Sequence, residues 1–88
     1  MLFVVTWEIP SSNRDAVSER FMKTGGPPPE GVKMIGRWHT LGTGEGTLVC
    51  ESGDPDAIAN WIQQWSDLMK FQITPVIDDE GAAKMISG

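Results

Sequence analysis

The sequence predicts an α+β fold in which a four-stranded antiparallel sheet carries two helices on one face. Runs of alternating apolar and polar residues, typical of strands, are interrupted by runs with the three- and four-residue apolar spacing of helices. Their order is β-α-β-β-α-β with a short helix at the C-terminal end, which is the ferredoxin-like pattern. We expect residues 1–88 to form one such domain, because a chain of this length is typical of a single domain.

The first half of the pattern is a strand, a helix and a stiff connector. Residues 1–9 alternate with the period of a strand, which Pro10 ends. A side chain among residues 11–13 is expected to cap the next helix, and Gly25 to end it. Residues 25–31 hold consecutive prolines between glycines, which exclude both a helix and an interior strand.

The second half begins with a hairpin. Residues 32–40 and 46–52 are predicted to pair antiparallel around a glycine-containing loop. Asp54 and Pro55 then mark the start of a helix, because they supply a side-chain cap and a proline in the first turn. This helix is predicted to carry one apolar stripe: Ile58, Trp61, Ile62, Trp65, Leu68 and Met69.

The last strand and a tail helix complete the pattern. Residues 71–77 are predicted to be a strand, and Pro75 within it indicates a sheet edge or a bulge. The acidic residues 78–80 are typical of a helix cap, so we expect a short helix after them and no metal site.

Strand alternation assigns the side chains of the sheet to two faces. The set expected to meet the helices is apolar: Phe3, Val5, Trp7, Met34, Trp38, Leu48 and Cys50. The opposite set mixes aliphatic and polar residues: Leu2, Val4, Thr6, Ile35, Arg37, His39, Thr47, Val49 and Glu51. Such a face is too apolar for water and too polar for a plain core. We therefore expect a homodimer that pairs through these faces.

A candidate site follows from the same alternation. Arg37 and His39 share one face, and a hairpin centred near Thr43 would place Arg37 opposite Val49. Glu51 would then lie diagonal to Arg37, in a pocket between the sheet and its partner or the tail helix. A guanidinium can hold an anionic oxygen, an imidazole can move a proton near neutral pH, and a carboxylate can fix the imidazole tautomer.

The candidate residues therefore have two roles. The candidate catalytic residues are Arg37 and His39, and the candidate ligand-binding residues are Arg37, His39, Glu51 and Thr6. The alternative interpretation is structural, with Arg37 and Glu51 as a cross-strand pair and His39 exposed at the hairpin end. The four tryptophans are likewise expected to be core residues rather than an aromatic pocket.

Composition and charge exclude several partners. The net charge is −5 and the seven basic residues are scattered singly, so we expect neither nucleic acid nor a membrane surface as a partner. The apolar residues 1–5 are too few to span a membrane or form a signal peptide. The single cysteine, Cys50, fits a buried residue in a reducing compartment, so a cytoplasmic location is expected. No cofactor motif is present, because the hairpin glycines lack the lysine and helix of a phosphate loop.

Several segments also match a known family. Residues 25–29, 31–33, 36–39, 65–68 and 74–76 are GGPPP, GVK, GRWH, WSDL and TPV, and the chain that carries them resembles a family of short proteins of unknown function. That family is placed among the dimeric α+β barrels, together with small cofactor-independent monooxygenases, muconolactone-isomerase-like enzymes and stress-responsive proteins. The resemblance implies a dimeric α+β barrel and brings no established activity.

Two classes of function are left open. One is a dimer that binds a small polar or anionic ligand without catalysis, and it is favoured by the absence of a recognisable nucleophile, metal or nucleotide motif. The alternative is a cofactor-independent enzyme of the isomerase or monooxygenase type, which would use Arg37 and His39 in the barrel interior.

Overall fold

The computed structural model describes residues 1–88 and contains four strands and three helices. Their bounds are β1 Leu2–Glu8, α1 Arg14–Thr24, β2 Val32–His39, β3 Glu45–Ser52, α2 Pro55–Gln63, β4 Lys70–Val76 and α3 Asp79–Ser87. The strands form one sheet in the order β2-β3-β1-β4, and all neighbours are antiparallel. The predicted ferredoxin-like α+β fold is therefore confirmed, and β4 with Pro75 lies at a sheet edge as expected.

Helix α1 begins differently from the prediction. A short 3₁₀ turn over Ser11–Asn13 precedes it, and no side chain caps its first turn. The side chain of Asn13 instead donates to the carbonyl of Leu68, at 3.1 Å, and so ties the start of α1 to the turn before β4. Gly25 ends the helix as predicted, because its left-handed φ of 73° lets its N–H donate to the carbonyl of Phe21.

Helix α2 starts as predicted and ends early. The carboxylate of Asp54 accepts from the backbone N–H of Asp56, at 3.0 Å. The helix stops at Gln63, so the expectation of one helical stripe reaching Met69 is wrong beyond that residue. A series of turns follows, with backbone hydrogen bonds that include Leu68 N–H to Trp65 carbonyl at 3.0 Å. The turns redirect the chain into β4.

The core lies between the sheet and the two helices α1 and α2. Its buried members come from the strands and from α2: Phe3, Val5, Trp7, Val32, Leu48, Cys50, Ile58, Trp61 and Ile62. Val17 adds a buried residue from α1. Burial also raises the pKa of the Cys50 thiol. None of the three helices is long and apolar enough to cross a bilayer.

An irregularity in β2 changes which side chains face the helices. The register shifts between Met34, which pairs with Cys50, and Gly36, which pairs with Val49. Ile35 is thus an extra residue, and a β-bulge of this kind reverses the alternation of the strand beyond it. Trp38 was expected to face the helices. It lies on the opposite face, which no helix covers, and 59% of it is exposed.

Candidate functional site

A cavity of about 190 Å³ lies between the sheet and the two helices. The strands contribute Trp7, Leu48 and Phe71, and the helices contribute Val17, Phe21, Trp61 and Ile62. Trp65 and Met69, from the turns after α2, complete the apolar wall. Arg37 supplies a cationic guanidinium to the lining, and His39 supplies an imidazole. The cavity is therefore an open-sided, mainly apolar pocket that is rich in aromatic rings and has polar groups along β2.

The bulge in β2 brings Arg37 to this cavity. Arg37 pairs with Leu48, whose side chain is buried on the helix-facing side, so the predicted pairing of Arg37 with Val49 is wrong by one residue. The guanidinium donates to the carbonyl of Gly26 at 2.7 Å and to that of Gly25 at 3.0 Å. It also lies 5.0 Å from the centre of the Phe21 ring, in a cation–π contact.

Arg37 has no acidic partner. The three ion pairs of the chain join Arg20 to Asp67, Lys23 to Glu19 and Lys84 to Glu80. The guanidinium is partly buried, and this burial lowers the pKa of Arg37. An arginine stays protonated all the same, so the cavity holds a partly desolvated positive charge that no carboxylate neutralises.

His39 lies at the open side of the cavity, and its side chain is exposed, as the structural interpretation expected. It pairs with Gly46, and because that residue has no side chain, the rings of Trp7 and Phe21 can approach the imidazole edge-on, at 5.5 Å and 5.8 Å between centroids. No side-chain hydrogen bond of the chain involves the ring nitrogens of His39. The imidazole is thus positioned by aromatic packing alone.

The other two predicted ligand-binding residues lie elsewhere. Glu51 pairs with Leu2 and Lys33, and Thr6 pairs with Thr47, all on the uncovered face of the sheet. The expected cluster of Arg37 with Glu51 is therefore wrong, because the bulge moves the arginine to the other face while the glutamate stays. Thr6 borders a separate polar depression at the hairpin end of the sheet.

Several residues that line the cavity were not predicted from the sequence to be site residues. Trp61 was expected to be core and is 3% exposed, yet it also lines the cavity, as does the half-buried Trp65. Phe21 was not predicted as a site residue. The available signal was the number of aromatic side chains in so short a chain.

A hydrogen-bonded anchor holds Trp65 at the cavity. Arg20 on α1 donates to both carboxylate oxygens of Asp67, each at 2.9 Å, and to the carbonyl of Gln64 at 2.8 Å. The guanidinium also lies 5.4 Å from the centre of the Trp65 ring. The hydrogen bond from Arg20 holds the pKa of the Asp67 carboxyl below its usual value. The turns after α2 are therefore fastened to α1, and with them the indole of Trp65.

The donor set of the cavity suits an organic anion better than a metal. No group of three or more His, Cys, Asp or Glu side chains lies close enough to hold a metal ion. The cavity offers one fixed cation, an imidazole and ring faces, which are the groups that a flat apolar molecule with an acidic group would need. The fold and the cavity together define a ferredoxin-like protein with a lined cavity between sheet and helices.

The chain belongs to the family described as a domain of unknown function, DUF3303, whose profile matches residues 1–88. The family resemblance noted from the sequence is thereby confirmed. No curated protein matches the chain.

Solved structures share the fold. A candidate antibiotic biosynthesis monooxygenase from Deinococcus radiodurans is similar with a TM-score of 0.50 and 9% identity, over 89% of this chain and 94% of that one. The protein Rv0793 from Mycobacterium tuberculosis is similar with a TM-score of 0.53 and 16% identity, over 89% of this chain and 96% of that one. At such identities the similarity is one of fold.

Proposed function

We propose that this protein binds a small aromatic carboxylate in the cavity between its sheet and its two helices. The observation that carries the proposal is Arg37, a partly buried cation without an acidic partner in a mainly apolar cavity that is open on one side. A buried charge is costly unless it is paired, so an anion that enters the cavity gains more from this arginine than it would from an exposed one.

The geometry of Arg37 leaves donors for a ligand. A guanidinium carries five N–H groups in a planar fork. Two of its hydrogen bonds go to the carbonyls of Gly25 and Gly26, which fix its orientation from the side of the connector. The remaining N–H groups can bind a carboxylate, and carboxylates are the anions that match this fork best.

The size and lining of the cavity define the rest of the ligand. An apolar cavity of about 150 Å³ is known to take a benzene ring, and this one measures about 190 Å³. The rings of Trp7, Phe21, Trp61 and Trp65 offer faces and edges for stacking. A single six-membered ring with one carboxylate therefore fits both the volume and the chemistry.

Binding can be tested with three probes. Titration calorimetry with benzoate, benzamide and acetate separates the contributions of ring and charge. We expect benzoate to bind more tightly than either of the others, and Arg37→Met to weaken benzoate roughly tenfold to a hundredfold, because a hydrogen bond to a charged group contributes about 1.5–3 kcal/mol. Arg14→Met is the matched control, since Arg14 is exposed and donates to the carbonyl of Thr43 instead. Equal affinity for benzoate and benzamide would refute the proposal.

A second candidate function is proton transfer by His39. It is favoured by the free imidazole nitrogens in the same cavity as Arg37, since a base beside a fixed cation can take a proton from carbon next to a carbonyl and leave an enolate whose charge is stabilised. The probe is phenylpyruvate in D₂O, with loss of its benzylic proton signal followed by NMR. Acceleration by the protein, abolished in His39→Gln with binding retained, supports an isomerase-type enzyme; exchange at the rate of buffer excludes it.

A homodimer is the second part of the proposal. Leu2, Val4 and Val49 are only half-buried on the uncovered sheet face, and Ile35 and Trp38 are exposed in the adjoining strand. A small domain with an apolar patch of this kind usually covers it by association. Sedimentation at micromolar concentration should show twice the chain mass. Trp38→Glu should give a folded monomer, whereas Ala16→Glu on the exposed side of α1 should not. A wild-type monomer would refute the dimer.

The location proposed for the protein is the cytoplasm. Its support is chemical: the single thiol of the chain is buried in the core and has no second cysteine with which to pair.

A further inference from the structure

The C-terminal helix α3 is a well-formed helix without a packing surface in its own chain. The carboxylate of Asp78 accepts from the N–H of Gly81 at 2.8 Å and caps its first turn. Glu80 and Lys84 form an i,i+4 pair at 3.6 Å. None of the residues of α3 is buried. The helix is thus specified by local sequence and yet leaves its side chains free.

The side chains that α3 leaves free are apolar. Met85 and Ile86 are 70% and 83% exposed, and Ile77 just before the helix is 52% exposed. Ala82 precedes Met85 by three residues and Ile86 by four, which places these three residues on one stripe of the helix. A helix of nine residues is shorter than the roughly 12–15 that hold a helix together in water without tertiary contacts. Its stripe therefore needs a surface to pack on.

The chain is elongated, as expected when an exposed helix such as α3 projects from the body. The longest dimension is 48 Å against 27 Å and 18 Å for the others. The radius of gyration is 14.5 Å, whereas a compact chain of this length would have about 12 Å. Each chain thus has one projecting helix and one uncovered sheet face. In a two-fold dimer, the helix of each copy can therefore pack on the sheet face of the other.

We propose that the two copies of the dimer exchange α3, so that the stripe of Met85 and Ile86 packs beside Trp38 on the uncovered sheet face of the partner. This inference rests on the proposed homodimer and names the segment that closes it. Trp38 is the anchor because it is the large aromatic side chain of that face and is 59% exposed. Exchange buries the apolar stripe of α3 and the apolar sheet face in one interface. A contact between the two sheet faces alone would leave the stripe of α3 exposed.

Contact between α3 of one copy and Trp38 of the other can be measured directly. A bimane label on Cys at Met85→Cys, in a Cys50→Ser chain, loses fluorescence when tryptophan touches it. The labelled chain also carries Trp38→Phe, so it has no Trp38 of its own. Mixing it with unlabelled wild-type chain should quench the label, and mixing with unlabelled Trp38→Phe chain should not.

A second variant separates exchange from dimerisation. Met85→Glu with Ile86→Glu should raise the dimer dissociation constant at least about tenfold, because burying even one such side chain contributes more than 1.4 kcal/mol. Ser87→Glu, on the other side of the helix from the stripe, is the control and should leave the dissociation constant unchanged. A wild-type dimer without quenching, or a double variant that dimerises normally, overturns the exchange and leaves the dimer standing. A monomeric wild-type chain overturns both, and a label quenched equally in both mixtures overturns the assignment to Trp38.

Discussion

Alternating residues of the same strands form the two faces of the sheet, but helices cover only one of these faces. The helix-facing side is closed by α1 and α2 and encloses an aromatic cavity with one unpaired cation. The other side carries aliphatic and threonine side chains and has no helix over it. Arg37 and Trp38 are neighbours in sequence and belong to different faces. The closed face therefore carries the proposed ligand site, and the open face carries the proposed dimer interface.

The sharpest test of this separation is truncation of a closed-face tryptophan. Trp61 is 3% exposed, so Trp61→Ala removes a large buried side chain and leaves a cavity behind, at a cost of about 3–5 kcal/mol in the free energy of unfolding. Chemical denaturation monitored by circular dichroism measures this. Trp38→Ala is the open-face counterpart and should alter association instead. A loss below about 1 kcal/mol for Trp61→Ala would show that the closed face is not the core.

Two glycine-to-alanine substitutions, one on each face of the sheet, test the same contrast by adding a single methyl group. A Cβ at Gly46 would overlap the indole of Trp7, which is locked in the core, and a Cβ at Gly36 would overlap that of Trp38, which can swing into solvent. Gly46→Ala should therefore cost about 1–3 kcal/mol in unfolding free energy, and Gly36→Ala no more than about 0.5 kcal/mol. Thermal unfolding at a concentration where the chain is monomeric measures both, and equal losses would contradict the contrast.

Helix caps extend the comparison to the helices themselves. Asp54 caps α2, which packs on the closed face, so Asp54→Ala should lower the unfolding free energy by about 0.5–2 kcal/mol. Asp78 caps α3 in a similar way, but no residue of α3 is buried in its own chain. Asp78→Ala should therefore leave the monomer within about 0.5 kcal/mol of wild type. Urea denaturation of dilute protein tests the pair, and a large loss for Asp78→Ala would place α3 on its own core.

The smallest effect concerns the anchor of Trp65 at the rim of the closed face. The hydrogen bond from Arg20 lowers the pKa of Asp67 in the folded chain, so the anchor stabilises the fold above the unfolded carboxyl's pKa of about 3.9. That stability is lost as pH falls through the lower, folded value. Wild type should thus lose slightly more stability on acidification than Asp67→Asn, as urea midpoints at pH 6 and pH 3 would show. Parallel pH profiles would contradict this anchor.

Most of the local structure was predictable because it depends on neighbouring residues. The alternation in β1, the cap at Asp54 and the stop at Gly25 each act within a few positions, and all three are found as expected. The early end of α2 was not predictable from the stripe. Trp65 and Met69 continue its spacing, but they contact the cavity from a turn that tertiary bonds to Arg20 hold in place.

The sequence by itself determined the order of elements and the ferredoxin-like class, and it predicted Arg37 and His39 as candidate site residues. Only the tertiary structure decided which face they occupy. Alternation has a period of two, so one extra residue at Ile35 exchanges every later side chain of β2 between faces. The pairing of β2 with β3 depends on contacts between strands, which no local pattern contains. That single shift separated Arg37 from Glu51 and placed it in the cavity.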